Sequence, residues 1–307
     1  MPIIEIENLR KTYGNTVAVD DVSFTVEDGE IFGILGPNGA GKTTTVEILA
    51  GLRHAEHGRA RVMGYDAAVD RAAVTRTLGV QLQSGELPEK LKVTEALTLY
   101  ATLYDNPADP DELIERMGLE KARDTAYGKL SGGQKQRLSI ALALIGNPKV
   151  AILDELTTGL DPQARRETWS LIEQVRDSGV TIILVSHFMD EAERLCDRLA
   201  VIDSGRVVAV DTPTGLVGQI QSGQQIVFHT PAPLSQQAVA ELQQLGRVET
   251  QGTQIIVDGG DGLLLGVATT LDRHGVVPSS LRTGQGNLED AFIALTDSGA
   301  ASVLQEA

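Results

Sequence analysis

The run Gly36-Pro37-Asn38-Gly39-Ala40-Gly41-Lys42-Thr43 has the residue types and spacing to hold a polyphosphate, and it fits G-x-x-x-x-G-K-[ST] at every fixed position. Glycines let the backbone curl around a phosphate with no side chain in the way. The loop amides then point inward as an anion nest. Lys42 adds a mobile positive charge for the β- and γ-phosphates, and the Thr43 hydroxyl suits Mg2+. Asp154-Glu155, after the apolar run Val150-Ala151-Ile152-Leu153, is the candidate hydrolytic pair. At the exit of a buried strand, adjacent side chains point in opposite directions. One carboxylate can then hold Mg2+ through water while the other faces an attacking water. An isolated Asp-Glu reads as a solvated acidic turn, so this assignment needs its context.

Weaker candidates surround these two. Tyr13 could stack on an adenine ring, though taken singly it reads as a partly exposed structural tyrosine. Gln83 stands at the end of the apolar run 78–82, where a loop glutamine bonded to its own backbone is the usual outcome. Ser131-Gly132-Gly133-Gln134 puts a capping serine before two glycines that leave the first helix amides uncovered. That is a second way to hold an anion at a helix N-terminus, or an ordinary capped helix. His187 follows Thr181-Ile182-Ile183-Leu184-Val185-Ser186, at the edge where open parallel sheets gather ligands.

The elements that must position these groups are legible in outline. Ile31-Phe32-Gly33-Ile34-Leu35 is an apolar run of buried-strand type. A helix from Thr43 to Leu49 follows, ended by Gly51. Residues 3–7 alternate as a half-exposed strand, and Val17, Val19, Val22, Phe24 and Val26 suggest antiparallel strands leading to the turn at Asp28-Gly29. Further strands are expected at 59–62, 78–82, 150–153, 181–185, 199–202 and 207–210. Amphipathic helical segments are expected around Val93-Tyr100 and Leu113-Met117, with another helix after Ser131. Pro162 suits the first turn of the helix that follows Gly159-Leu160-Asp161. Around residue 212 the charge falls and Gln, Gly and Ala rise. Beyond it the expected order is β-α-β-β-α-β-α, a split βαβ domain, its last strand near Val276-Val277 or Leu281. The fold class is α/β: a P-loop core with an antiparallel β subdomain, a helical subdomain and a small α+β C-terminal domain. The boundaries are 1–214 and 215–307.

Composition narrows the function. The chain has 307 residues, 42% of them hydrophobic, enough for a sizeable core, and a net charge of −16. No basic footprint for nucleic acid is present. The one cysteine, Cys196, allows no internal disulfide and suits a reducing cytosol; it reads as a packed residue. No apolar run is long enough to cross a bilayer, and the N-terminus has no basic segment or apolar signal core. The expectation is a soluble intracellular chain that needs another subunit for any membrane role.

Taken in order, these pieces resemble the ATP-binding cassette (ABC) ATPases over residues 1 to about 212. The resemblance rests on the Walker A loop 36–43, the signature 130–134 and the Walker B strand ending in Asp154-Glu155. It rests also on the D-loop Gly159-Leu160-Asp161, the switch histidine His187, the aromatic Tyr13 and the Q-loop Gln83. It implies ATP and Mg2+ as ligands. Nucleotide contacts would come from Tyr13, Val17, Asn38, Gly39, Ala40, Gly41, Lys42, Thr43 and Thr44. Mg2+ would lie near Thr43, Gln83 and Asp154. Glu155 would polarise the attacking water, with His187, Gln83 and Lys42 completing the catalytic set. Ser131, Gly132, Gly133, Gln134 and Asp161 would face a nucleotide held by a second subunit. Leu156 stands where the family usually has proline.

The stretch 186–197 and the tail 288–296 are similar to the multidrug and antibiotic export ATPases of the ABC-2 type. That implies a homodimeric ATPase peripheral at the cytoplasmic face, paired with a separate membrane permease, and exporting drugs, lipids or other amphipathic compounds. Residues 84–93 would touch the permease. The alternative is a soluble ABC-type ATPase of translation or DNA repair. Those usually carry paired cassettes or a long coiled-coil insertion, and this chain has neither.

Overall fold

The computed structural model describes residues 2–81, 87–220, 224–260, 262–284 and 287–303. The chain divides into two compact units, Met1–Pro213 and Thr214–Ala307.

The first unit opens with β1 (Ile4–Tyr13) and β2 (Thr16–Val26), an antiparallel pair. β1 runs past the expected end at Glu7. Asn8 has φ 48°, and the register shifts there. The buried positions therefore go Ile4, Ile6, Leu9, and the simple alternation breaks although the strand continues. β3 (Ile31–Leu35) is buried at all five positions, as a strand covered on both faces must be. Phe24 of β2 stacks on Phe32 of β3, with ring centroids 5.1 Å apart, joining the two sheets of this unit. α1 (Lys42–Leu49) follows the loop, then β4 (His57–Val62) and β5 (Tyr65–Asp66). The antiparallel sheet has the order β2-β1-β4-β5. α2 (Arg71–Thr77) and β5 were not expected from the sequence; α2 buries only Val74, too little to show a period.

After β6 (Leu78–Gln81) come α3 (Val93–Ala101), α4 (Pro110–Arg116) and α5 (Gly132–Leu144). Leu97, Ile114 and Met117 are buried in this helical part. β7 (Val150–Asp154), α6 (Pro162–Asp177), β8 (Thr181–Ser186), α7 (Met189–Leu195), β9 (Arg198–Asp203) and β10 (Arg206–Asp211) complete the unit. The six-stranded sheet has the order β10-β9-β3-β8-β7-β6, parallel from β9 to β6, with β10 antiparallel at its edge. Register places Leu35 beside Ser186, Val185 beside Asp154, and Leu153 beside Gln81. The carboxyl ends of four strands thus meet along one edge, where ligands of open parallel sheets bind.

The second unit is α8 (Pro213–Ile220), β11 (Gln224–His229), α9 (Gln236–Gln243), β12 (Gly246–Gln251), β13 (Gln254–Gly259), α10 (Leu263–Arg273), β14 (Ser279–Gly284) and α11 (Leu288–Val303). Its antiparallel sheet has the order β12-β13-β11-β14, the split βαβ pattern. Phe228, Leu242, Val257 and Val267 are among its core residues. The last strand lies at Leu281 rather than Val276-Val277, and the leading helix α8 was not expected.

Candidate functional site

Two loop glycines are fixed by close approach. A Cβ on Gly36 would lie 2.2 Å from the Ile202 carbonyl oxygen. One on Gly41, at φ 99°, would lie 2.2 Å from the Ala18 carbonyl oxygen. Gly41 is also the N-cap of α1, so the helix amides open directly onto the loop. Lys42 is 6% exposed and folds back over the loop, donating to the carbonyls of Gly36 at 2.7 Å and Pro37 at 3.0 Å. Burial pushes its pKa down, against the pull of the Glu155 and Asp154 carboxylates.

Asp154 ends β7 and is 2% exposed. Its N–H donates to Gln81 Oε1 at 3.1 Å, and its buried Oδ2 has no hydrogen-bond partner among the described residues. Burial raises its pKa to about 6, helped by Glu155 and Glu47 and opposed by Lys42. Regular strand alternation stops here. Glu155 has φ 50°, a left-handed backbone that glutamate rarely adopts, held by its N–H donating to the Val185 carbonyl at 2.9 Å. The turn brings Glu155 Oε1 to 3.3 Å from His187 Nδ1. The His187 ring lies 4.1 Å from that of Phe188.

These groups share a cleft of about 530 Å³, lined by Tyr13, Ala18, Asn38, Gly39, Gly41, Lys42, Thr43, Thr44, Glu155 and His187. Tyr13, 42% exposed, has two cations near its ring: Lys11 Nζ at 5.6 Å and the Arg53 guanidinium at 5.5 Å from the centroid. Val17 is exposed and does not line the cleft; its neighbour Ala18 does, through the side of β2 facing the loop. Ala18 escaped the sequence reading because alanine carries no chemical signal. Ala40 is buried in the loop, its carbonyl accepting from Gly205 N–H. Gln83 and residues 84–86 of the expected permease contact lie outside the described residues.

The second set of expected residues lies elsewhere. Ser131 caps α5: its Oγ accepts from Gln134 N–H at 3.3 Å, and Gln134 Oε1 accepts from Ser131 N–H at 2.9 Å. Asp161 caps α6, its Oδ1 accepting from the amides of Gln163 at 2.9 Å and Ala164 at 3.0 Å. These amide bonds hold its carboxyl below the ordinary range. The two helix starts touch. A Cβ on Gly132 would meet Leu160 at 3.7 Å, and one on Gly133 would meet Ala164 at 3.5 Å. None of Ser131, Gly132, Gly133, Gln134 and Asp161 lines the cleft.

Below His187 a buried carboxylate ties three elements together. Glu191 of α7, fully buried, accepts from Ser186 Oγ at 2.5 Å and from Trp169 Nε1 of α6 at 3.0 Å. Burial raises its pKa, and those bonds work against the rise. Cys196 is buried, and burial pushes its thiol up, which makes it inert.

The residues present fit a magnesium ion. Asp154 Oδ2 is a buried acceptor with no partner among the described residues, and Thr43 lines the cleft beside Glu155 with a hydroxyl to offer. Among the described residues no group of three or more His, Cys, Asp or Glu is placed to hold a metal. Such a hard cation would complete its shell with phosphate and water oxygens.

A phosphate loop opening a helix from a parallel sheet, faced by an acidic strand end and a histidine, defines a P-loop nucleotide hydrolase. The comparisons specify it further. Residues 19–158 match the ABC transporter family model. The chain is 37% identical over 303 residues to Nod factor export ATP-binding protein I of Ralstonia nicotianae, covering 96% of this chain and 94% of that one. It is 36% identical over 309 residues to daunorubicin/doxorubicin resistance ATP-binding protein DrrA of Streptomyces peucetius, covering 95% and 92%. A solved ATP-binding subunit of an ABC transporter superposes with TM-score 0.64 at 29% identity, covering 71% of this chain and 92% of that one. A dimeric bacterial ABC transporter cassette gives 0.61 at 25% identity, covering 68% and 98%. The chain belongs to the ATP-binding subunits of ABC transporters, and it is an ATPase.

Proposed function

We propose that the chain drives export of amphipathic compounds, lipid- or drug-like, through a separate membrane permease. Support for the substrate class comes from the relatives, which are a Nod factor export protein and a daunorubicin/doxorubicin resistance protein. Among the described residues no helix is long and apolar enough to cross a membrane. The permease would supply the membrane part, and this subunit would sit against its cytoplasmic face. Residues 1–214 act as the ATPase domain, and 215–307 as an accessory domain.

Each ATP is held between two copies. One copy supplies the cleft: Tyr13 faces the base, and Asn38 to Thr44 and Lys42 cradle the phosphates. Glu155 orients the attacking water, and His187 contacts the γ-phosphate. Mg2+ at Asp154, Thr43 and Gln83 would neutralise charge on the phosphate oxygens. The other copy supplies Ser131, the amides after it, and Asp161. One observation carries this reading: Lys42, Thr43, Glu155 and His187 converge on one cleft, while the α5 and α6 helix starts pack together outside it.

Glu155→Gln tests the reading. It should retain ATP binding, lower hydrolysis about 1,000-fold, the scale of a positioned general base, and give an ATP-dependent dimer in sedimentation. Unchanged hydrolysis would remove Glu155 from this role.

A further inference from the structure

Arg165 connects the start of α6 to the hydrolytic pair. It lies in the first turn of α6, its N–H donating to the Asp161 carbonyl at 2.9 Å, so it moves with that helix start. Its guanidinium lies over the Phe188 ring, 4.7 Å from the centroid. The Phe188 ring is 4.1 Å from His187, and His187 Nδ1 is 3.3 Å from Glu155 Oε1. Arg165 also reaches Asp190 Oδ2 at 3.2 Å, but Asp190 is exposed and such a pair contributes little. Arg165 Nε is buried and has no hydrogen-bond partner among the described residues. Leaving that donor unmet is costly, and the aromatic contact is what offsets it. The side chain is thus a partly buried cation over Phe188 rather than a solvated surface arginine.

We propose that Arg165 is a positioning residue: from the start of α6 it sets the His187–Glu155 contact through Phe188. A second copy of this chain pressing on Asp161 is then felt at the hydrolytic pair. This rests on the functional reading above.

The test uses the full-length chain and four variants. Arg165→Lys keeps the charge and loses the guanidinium–ring contact. Phe188→Leu keeps an apolar side chain and loses the ring. Each should lower kcat about tenfold, the scale of a partly desolvated cation–aromatic contact, with KM for ATP and the melting temperature unchanged. The double variant should be no slower than either single one, because both remove the same contact. Phe188→Tyr, which keeps the ring, should retain wild-type kcat. Wild-type kcat in Arg165→Lys or Phe188→Leu, losses that multiply in the double variant, or losses confined to KM or melting temperature would each overturn the proposal. A wild-type chain that hydrolyses no ATP would instead sink the functional reading, and the inference with it.

Discussion

The cleft and the paired helix starts of α5 and α6 are built on opposite principles. The cleft is unfinished. Asp154, next to Glu155, keeps a buried oxygen with no partner among the described residues, Glu155 holds a left-handed backbone, and Lys42 donates to loop carbonyls. The helix starts are finished. Ser131 and Gln134 satisfy each other, and Asp161 accepts from two amides of its own helix. An unfinished polar pocket binds a ligand to complete itself. A finished cap has no such need, so it acts on a ligand only when another surface brings one to it.

Three variants sharpen that contrast. Lys42→Ala should have the largest effect, weakening ATP binding about 100-fold by calorimetry through lost charge-assisted bonds. Equal affinity would mean the cleft does not hold the phosphates through this side chain. Ser131→Ala should leave ATP binding unchanged while hydrolysis falls about tenfold, and helix-cap loss should cost about 1 kcal/mol of stability. If ATP affinity fell as far as hydrolysis, the two regions would not be separate.

Asp154→Asn should have the smallest effect, on stability without Mg2+. The folded carboxyl protonates near 6, against 3.8 when free. Between these values the folded chain binds more protons than the unfolded one, so stability falls as pH rises from about 4 to about 6 and stays low above. The asparagine variant lacks this loss. It should melt about 5 °C higher at neutral pH, with the gap closing toward pH 4. A gap independent of pH, or a lower melting temperature, would show that the buried carboxylate does not strain the fold.

How much of this was legible depended on the signal each residue carries. The tight turn of the glycine loop was, because Gly36 and Gly41 each lie too close to a carbonyl to carry a side chain. The order of the second unit after α8 was, because Phe228, Leu242 and Val257 follow strand and helix periods. β5 is two residues long and α2 buries one side chain, so neither has a period to read. β1 reads short in the sequence because the irregularity at Asn8 resets its alternation. At Glu155 the expectation of simple strand alternation failed. A positive φ in a glutamate is imposed by the surrounding sheet, through Val185, and leaves no trace in residue type.

Trp169 is the chain's single tryptophan. Its indole N–H donates to Glu191, which also accepts a hydrogen bond from the hydroxyl of Ser186, the residue before His187. The protein therefore carries a native fluorophore two hydrogen bonds from the strand end that presents His187. A change in its emission when nucleotide is added reports on that strand end without any label.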